Sequence, residues 1–207
     1  RLIHLLRSKQ VNGVVIQPLQ DAKSLLEPLQ DARIPIVLIQ DDVPNVHSIS
    51  LSDFEGGLLA TRHLLELGHQ HIAMIKAKPF RALSYQRFEG YKKALADARV
   101  TCNPDYVVEV EYSEDHQSGY EAMRKLLTLQ QPPTAVFTHN DVLALGAMHA
   151  IQERGLKIPE DISVVGYDDI SSAAYFSPPL TTVRLAKHEL GQEAGKIIFQ
   201  HIQAKKV

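Results

Sequence analysis

THNDVLALGAMHAIQERGLKIPEDISVVGYDDISSAAYFSPPLTTVR, residues 138–184, is the stretch whose reading decides the fold. Two short apolar runs frame it, Ala135 to Phe137 just ahead and Ser163 to Val165 within, and each leads into a polar pair, Asn140-Asp141 and Asp168-Asp169. Brief runs rich in β-branched and aromatic residues predict parallel strands covered on both faces. Ligands of open parallel sheets bind outside the carboxyl ends of the strands, where these polar pairs stand. Between them, Ala144, Ala147, Met148 and Ile151 recur at helical spacing, and Gly155 stands where a left-handed C′ residue stops a helix.

The same units recur outward from this stretch. Val14 to Ile16, Ile36 to Ile39, Ile72 to Ile75 and Val107 to Val110 are further predicted strands. Phe88, Tyr91, Leu95 and Ala98 share one face of a predicted helix, opposite Glu89, Lys92, Lys93 and Asp97, and Gly68 marks the end of another. The fold class is therefore α/β, with strands and helices alternating around parallel sheets. QDDVPN at 40–45 and the extended HSISLS that follows lead into a helix beginning near Asp53, the pattern of a crossover between two lobes.

With 207 residues and 44% hydrophobic content, the chain can bury one sizeable core or two small ones. Its net charge of −2, with both signs interspersed, offers no field suited to a phosphate backbone, so nucleic acid must be met by another segment. Cys102 is the single cysteine and has no internal partner, which fits a reducing compartment. No run approaches the length of a membrane span, and no export signal is present. The chain opens at Arg1 directly in a helical pattern, so its N-terminal portion is expected to be missing.

Three polar residues stand at predicted strand ends: Asn140, Asp168, and Arg87 in the helix after strand 72–75. Together they offer the donors and acceptors that match vicinal hydroxyls, with Arg able to bond in bidentate fashion. The plain alternatives are a helix cap at Asn140 or Asp141, a turn at Asp168 and a solvated Arg87. Tyr85, Tyr167, Tyr175 and Phe176 are candidates for stacking on a sugar ring, some of them belonging instead to the core. His69 and His71 lack a third metal ligand, and the pairs Asp41-Asp42 and Asp168-Asp169 point to opposite sides of their strands rather than at one substrate. Nucleotide-loop and nucleophile-elbow motifs are absent. No catalytic residue, metal site or cofactor is expected.

GHQHIAMI, RFEGYKKAL, NDVLALGAMHAIQERGLKIPEDISVVGYDDI and FSPPLTTVR, in this order, resemble the effector-binding domain of the LacI/GalR family of bacterial transcription regulators, across essentially all 207 residues. The resemblance implies a two-lobed, periplasmic-binding-protein-like fold, each lobe a parallel sheet sandwiched by helices, with a ligand clamped between them. The first lobe, incomplete, would comprise residues 1–51 and 186–207, and the second 52–185. The family's DNA-binding helix-turn-helix is absent from this chain. Carried over by motif, Arg87 of RFEG, Asn140 of HND and Asp168 of GYDD resemble effector contacts, and Gln40, Leu51 and Leu185 complete the candidate set. Gln40 stands where many members have Asp and Leu185 where many have Gln, so the ligand need not be a simple hexose.

By the same resemblance the chain is a sensor: a sugar, sugar phosphate or nucleoside shifts a population of forms, and operator affinity follows through the missing N-terminal domain. A homodimer, cytoplasmic and without membrane contact, is implied. Two other readings stand beside it, a secreted sugar-binding protein of a transporter and an α/β enzyme using Asp168 or Asp169 as acid or base.

Overall fold

Each apolar run read as a strand is one. The computed structural model describes residues 6, 11–18, 26, 27, 29, 34–41, 43–78, 85–111 and 115–204. Within them lie β1 (Val14–Ile16), β2 (Ile36–Ile39), β4 (Ile72–Ala77), β5 (Val107–Val110), β6 (Ala135–Thr138) and β7 (Ser163–Asp168). Two further strands, β3 (His47–Ile49) and β8 (Thr181–Arg184), come from the HSISLS and TTVR segments. The helices are α1 (Asp53–Glu66), α2 (Gln86–Asp97), α3 (His116–Leu126), α4 (Asp141–Glu153) and α5 (Lys187–Ala204).

The chain divides into two units, Arg1–Leu51 with Ala186–Val207, and Ser52–Leu185. In the first, β1, β2 and β3 form a parallel sheet in that order. Leu26, Leu29, Ile36 and Leu38 are its buried core.

The second unit holds a five-stranded parallel sheet of order β5-β4-β6-β7-β8. Alternation along each strand feeds two cores. Ala73, Ile75, Val136 and Val164 face α3 and α4 with Met123, Leu126, Ala147 and Ile151. Met74, Phe137, Val165 and Tyr167 face the other way, with Leu64 of α1 and Tyr91 and Leu95 of α2. Burial on both faces is why these strands read as unbroken apolar runs rather than alternating ones.

Helix ends follow their caps. Ser52 Oγ accepts from the Glu55 amide at 3.3 Å to start α1, and Gly68 (φ +90°) and Gly155 (φ +73°) follow α1 and α4 in the left-handed region. The α2 face differs from expectation: Ala98 is exposed, and the buried residues are Arg87, Gly90, Tyr91, Ala94 and Leu95. The face is rotated because Gly90 lies against the α1 backbone, where a Cβ would run into the Phe54 carbonyl oxygen.

The strand order reverses direction at β4, with β5 on one side and β6 on the other. A reversal of this kind opens a crevice at the carboxyl ends of the two strands. α2 follows β4 and α4 follows β6, so Arg87 and Asn140 belong to that end of the sheet.

Candidate ligand site at the strand ends

Arg87 is buried, not solvated. Its Nε donates to Asp53 Oδ1 at 3.0 Å, and its Nη1 donates to the carbonyl of His139 at 2.5 Å. The guanidinium lies on the Tyr167 ring, Cζ 3.6 Å from its centroid. Tyr167 in turn donates its hydroxyl to the same Asp53 Oδ1 at 2.9 Å. Three segments thereby meet at one guanidinium: the start of α1, the loop after β6 and the end of β7.

Glycines make that approach close. A Cβ at Gly57 would strike the backbone carbonyl of Arg87, and one at Gly56 would strike the Tyr167 hydroxyl. The GG of SDFEGG is therefore what lets α1 carry Asp53 under Arg87.

Asn140 is the N-cap of α4. Its Oδ1 accepts from the Leu143 amide at 2.9 Å, so the cap reading holds, and only Nδ2 remains to serve a ligand as a donor. The neighbouring Asp141 is fully buried and acts as a strut. Its carboxylate accepts from Thr182 Oγ1 at 2.6 Å and from the Ile170 amide at 2.8 Å, tying β8 and the loop after β7 to the start of α4. Burial raises its pKa, partly offset by these bonds.

Asp168 closes β7 in a sparsely populated conformation, φ 110°, and Asp169 follows at φ 49°. Such geometry in a residue other than glycine costs about 1–3 kcal/mol and gathers at functional sites. The two carboxylates are separated in role: Asp169 Oδ2 accepts from Arg184 Nε at 2.6 Å on the surface.

Leu185 is half-buried and packs on the core that contains Tyr167. In the first unit, Gln40 follows β2 at φ 58°, and its Oε1 accepts from the Leu51 amide at 3.3 Å, so those two candidates meet each other. Of the stacking candidates, Tyr167 is buried, Phe176 packs against a core, and Tyr85 and Tyr175 are exposed.

Electrostatics tighten the picture. His139 is buried and its pKa is pushed down to about 3, first by burial and then by Arg87 and Lys76, so it is a neutral ring. Burial likewise raises the Tyr167 phenol. His69 is lowered by burial, its ring nitrogens placed 3.0 Å from Thr134 Oγ1 and 2.9 Å from Ser163 Oγ. Among the described residues there is no group of three metal-ligating side chains.

Sequence reasoning missed Asp53. The sequence marked it only as the place near which a helix begins, and nothing local reports a bond to Tyr167, 114 positions away.

The model of the periplasmic binding protein-like domain matches residues 61–207, well over half the chain. A LacI family transcriptional regulator from Enterococcus faecium, solved with bound ribose, is 32% identical, with a TM-score of 0.85 over 98% of this chain and 75% of that one. The chain belongs to the LacI family. A complex of the transcriptional regulator CelR with cellobiose is another structural neighbour of this LacI-family chain, at TM-score 0.87 and 30% identity over 99% of this chain and 63% of that one. In sequence it is 39% identical to the HTH-type transcriptional repressor PurR of Haemophilus influenzae (strain PittEE), over 98% of this chain and 60% of that protein. PurR of Pasteurella multocida (strain Pm70) is equally similar, at 39% over 98% of this chain and 61% of that protein. The chain thus spans about 60% of the length of the PurR proteins it matches. Among the described residues, no helix is long and apolar enough to cross a membrane.

Proposed function

We propose that this chain is the effector-sensing part of a transcription regulator, binding a small carbohydrate or related polyhydroxylated ligand at the strand ends of the 52–185 unit. The observation that carries the reading is the preorganised guanidinium of Arg87, held by Asp53, Tyr167 and the His139 carbonyl beside Asn140 and the strained Asp168. Family membership supports it, as do ribose and cellobiose, the ligands bound in two structural neighbours.

In this reading Arg87 and Asn140 Nδ2 donate to ring oxygens, and the Asp168 carboxylate accepts from hydroxyls. That division matches the two-way hydrogen bonding of a sugar hydroxyl. Gln40, Leu51 and Leu185 are the further candidate contacts, with Leu185 supplying apolar surface. A ligand moves the regulator between two forms only by its differential affinity for them, about 1.4 kcal/mol for each tenfold ratio. Operator DNA is bound by another segment of the regulator, which works as a cytoplasmic homodimer and turns nothing over.

The test is a thermal-shift screen of the full-length regulator against pentoses, hexoses, disaccharides and nucleosides. A ligand at 100 times its Kd adds about 2.7 kcal/mol of stability. Stabilisation by one of these compounds, recovered unchanged after long incubation and altering operator affinity, is the expected result. No stabilisation across the set, or conversion of the bound compound, contradicts it.

A further inference from the structure

Resting on the proposed sensor function, a charge inventory of the same face narrows the ligand. Among the described residues at the carboxyl end of the five-stranded sheet, each cation has a carboxylate partner. Lys76 bonds Glu109, Lys78 bonds Glu111, Arg184 bonds Asp169, and Arg87 bonds Asp53. Four positive charges meet four negative ones. A buried neutral His139 contributes none.

Among the described residues of this face, Arg87 is the buried cation suited to a phosphate, since guanidinium pairs with phosphate in bidentate fashion. Its Nε is committed to Asp53 and one Nη1 hydrogen to the His139 carbonyl. That leaves Nη2 and the second Nη1 hydrogen, on a guanidinium whose charge is already met by a carboxylate 3.0 Å away. A phosphoryl group carrying about −1.5 to −2 charge would face Asp53 in a part-desolvated site, where like charges are costly. A neutral hydroxyl or carbonyl oxygen meets no such penalty and finds oriented donors.

We infer that this face selects an uncharged, polyhydroxylated ligand over its phosphorylated counterpart, and that Asp53 is the positioning residue that sets the preference by neutralising Arg87 and fixing which of its N–H groups remain. Asp53 acts through Arg87. Tyr167, donating to the same oxygen, keeps the Asp53 carboxylate in place.

The test uses the full chain, the Asp53→Asn variant, and two kinds of probe. Inorganic phosphate is titrated at low ionic strength by calorimetry and thermal shift. The matched pairs ribose and ribose 5-phosphate, glucose and glucose 6-phosphate, and adenosine and adenosine monophosphate are compared on the native chain. For any pair that binds, the neutral member is expected to bind more tightly. Phosphate is expected to bind Asp53→Asn at least about tenfold more tightly than the native chain, because the variant frees one unit of positive charge on Arg87. Adding Arg87→Ala to that variant is expected to abolish the gain.

Tyr167→Phe removes a donor to Asp53 without changing charge, and it is expected to raise phosphate affinity by less than Asp53→Asn does, separating the charge of Asp53 from its positioning. A phosphorylated compound that outcompetes its parent sugar or nucleoside on the native chain overturns the inference. So does equal phosphate affinity of native and Asp53→Asn chains. If no neutral or phosphorylated compound binds the native chain, the sensor reading fails, while the phosphate titration still decides the role of Asp53.

Discussion

Asp53 Oδ1 receives two hydrogen bonds at once, from Arg87 Nε at 3.0 Å and from Tyr167 Oη at 2.9 Å, with all three residues buried. This shared oxygen joins the start of α1, the first turn of α2 and the end of β7. It is a structural hub and the support of the proposed ligand site, and the two roles separate by experiment.

Removing one partner of a buried ion pair leaves an uncompensated charge. Arg87→Met is expected to lower unfolding free energy by about 3–5 kcal/mol. Adding Asp53→Asn to Arg87→Met removes that stranded charge, and the double variant is expected to be more stable than Arg87→Met alone by at least about 1 kcal/mol. Urea unfolding of the native chain and the three variants closes the cycle; strictly additive losses would contradict the coupling.

Glycines separate crowding from backbone strain. Gly57→Ala drives a methyl into the Arg87 carbonyl, and overpacking of this kind costs about 1–3 kcal/mol. Gly68→Ala meets nothing within 4 Å but sits at φ +90°, so its loss, about 1–2 kcal/mol, is conformational alone. Because Gly57 backs Arg87, only Gly57→Ala is expected to weaken ligand binding as well, as read by calorimetry on both variants.

His139 makes stability depend on pH. Its folded pKa is depressed to about 3 from 6.5, so below pH 6.5 the unfolded chain takes up a proton that the folded chain refuses. The contribution is fully present above pH 6.5 and is lost as pH falls, at about 1.4 kcal/mol per pH unit, until the folded group itself titrates near 3. Denaturant midpoints at pH 7.5 and 5.5 should therefore converge in His139→Gln relative to the native chain. An unchanged difference would show that other groups carry it.

Much of the fold was legible because parallel strands covered on both faces leave unbroken apolar runs, as at Ile72–Ala77 and Ala135–Thr138. β3 and β8 were harder: HSI and TTVR are short and polar, and they sit at the edges of their sheets, where burial asks less of the sequence. Within the site, strand ends pointed to Arg87, Asn140 and Asp168, since a residue's place after a strand is local information. Asp53 was not legible, because its partners lie 34 and 114 positions away. The tilt of α2 that buries Arg87 rather than Ala98 depends on Gly90 meeting α1, a contact that helical periodicity alone cannot supply.

Asp168 carries the strain. At φ 110° a glycine is relieved of the strain that any side chain bears, so Asp168→Gly is expected to be more stable than Asp168→Ala by about 1 kcal/mol, even as both remove a proposed ligand group. A Tm higher in Asp168→Gly than in Asp168→Ala, with affinity lost in both, is the outcome to look for in parallel melting and binding measurements. Equal melting of the two variants would contradict the strain at Asp168.

The most direct test of the account is calorimetric titration, with the compound that stabilises the regulator in the thermal-shift screen, of the native chain and Asp168→Ala. Arg87→Ala is a less clean probe because the Asp53 pair breaks with it. Affinity is expected to be weaker by at least about 2 kcal/mol in Asp168→Ala, the loss of a charged acceptor from a desolvated hydroxyl, with a cooperative unfolding transition retained. Unaltered affinity in Asp168→Ala would contradict the placement of the ligand at these strand ends.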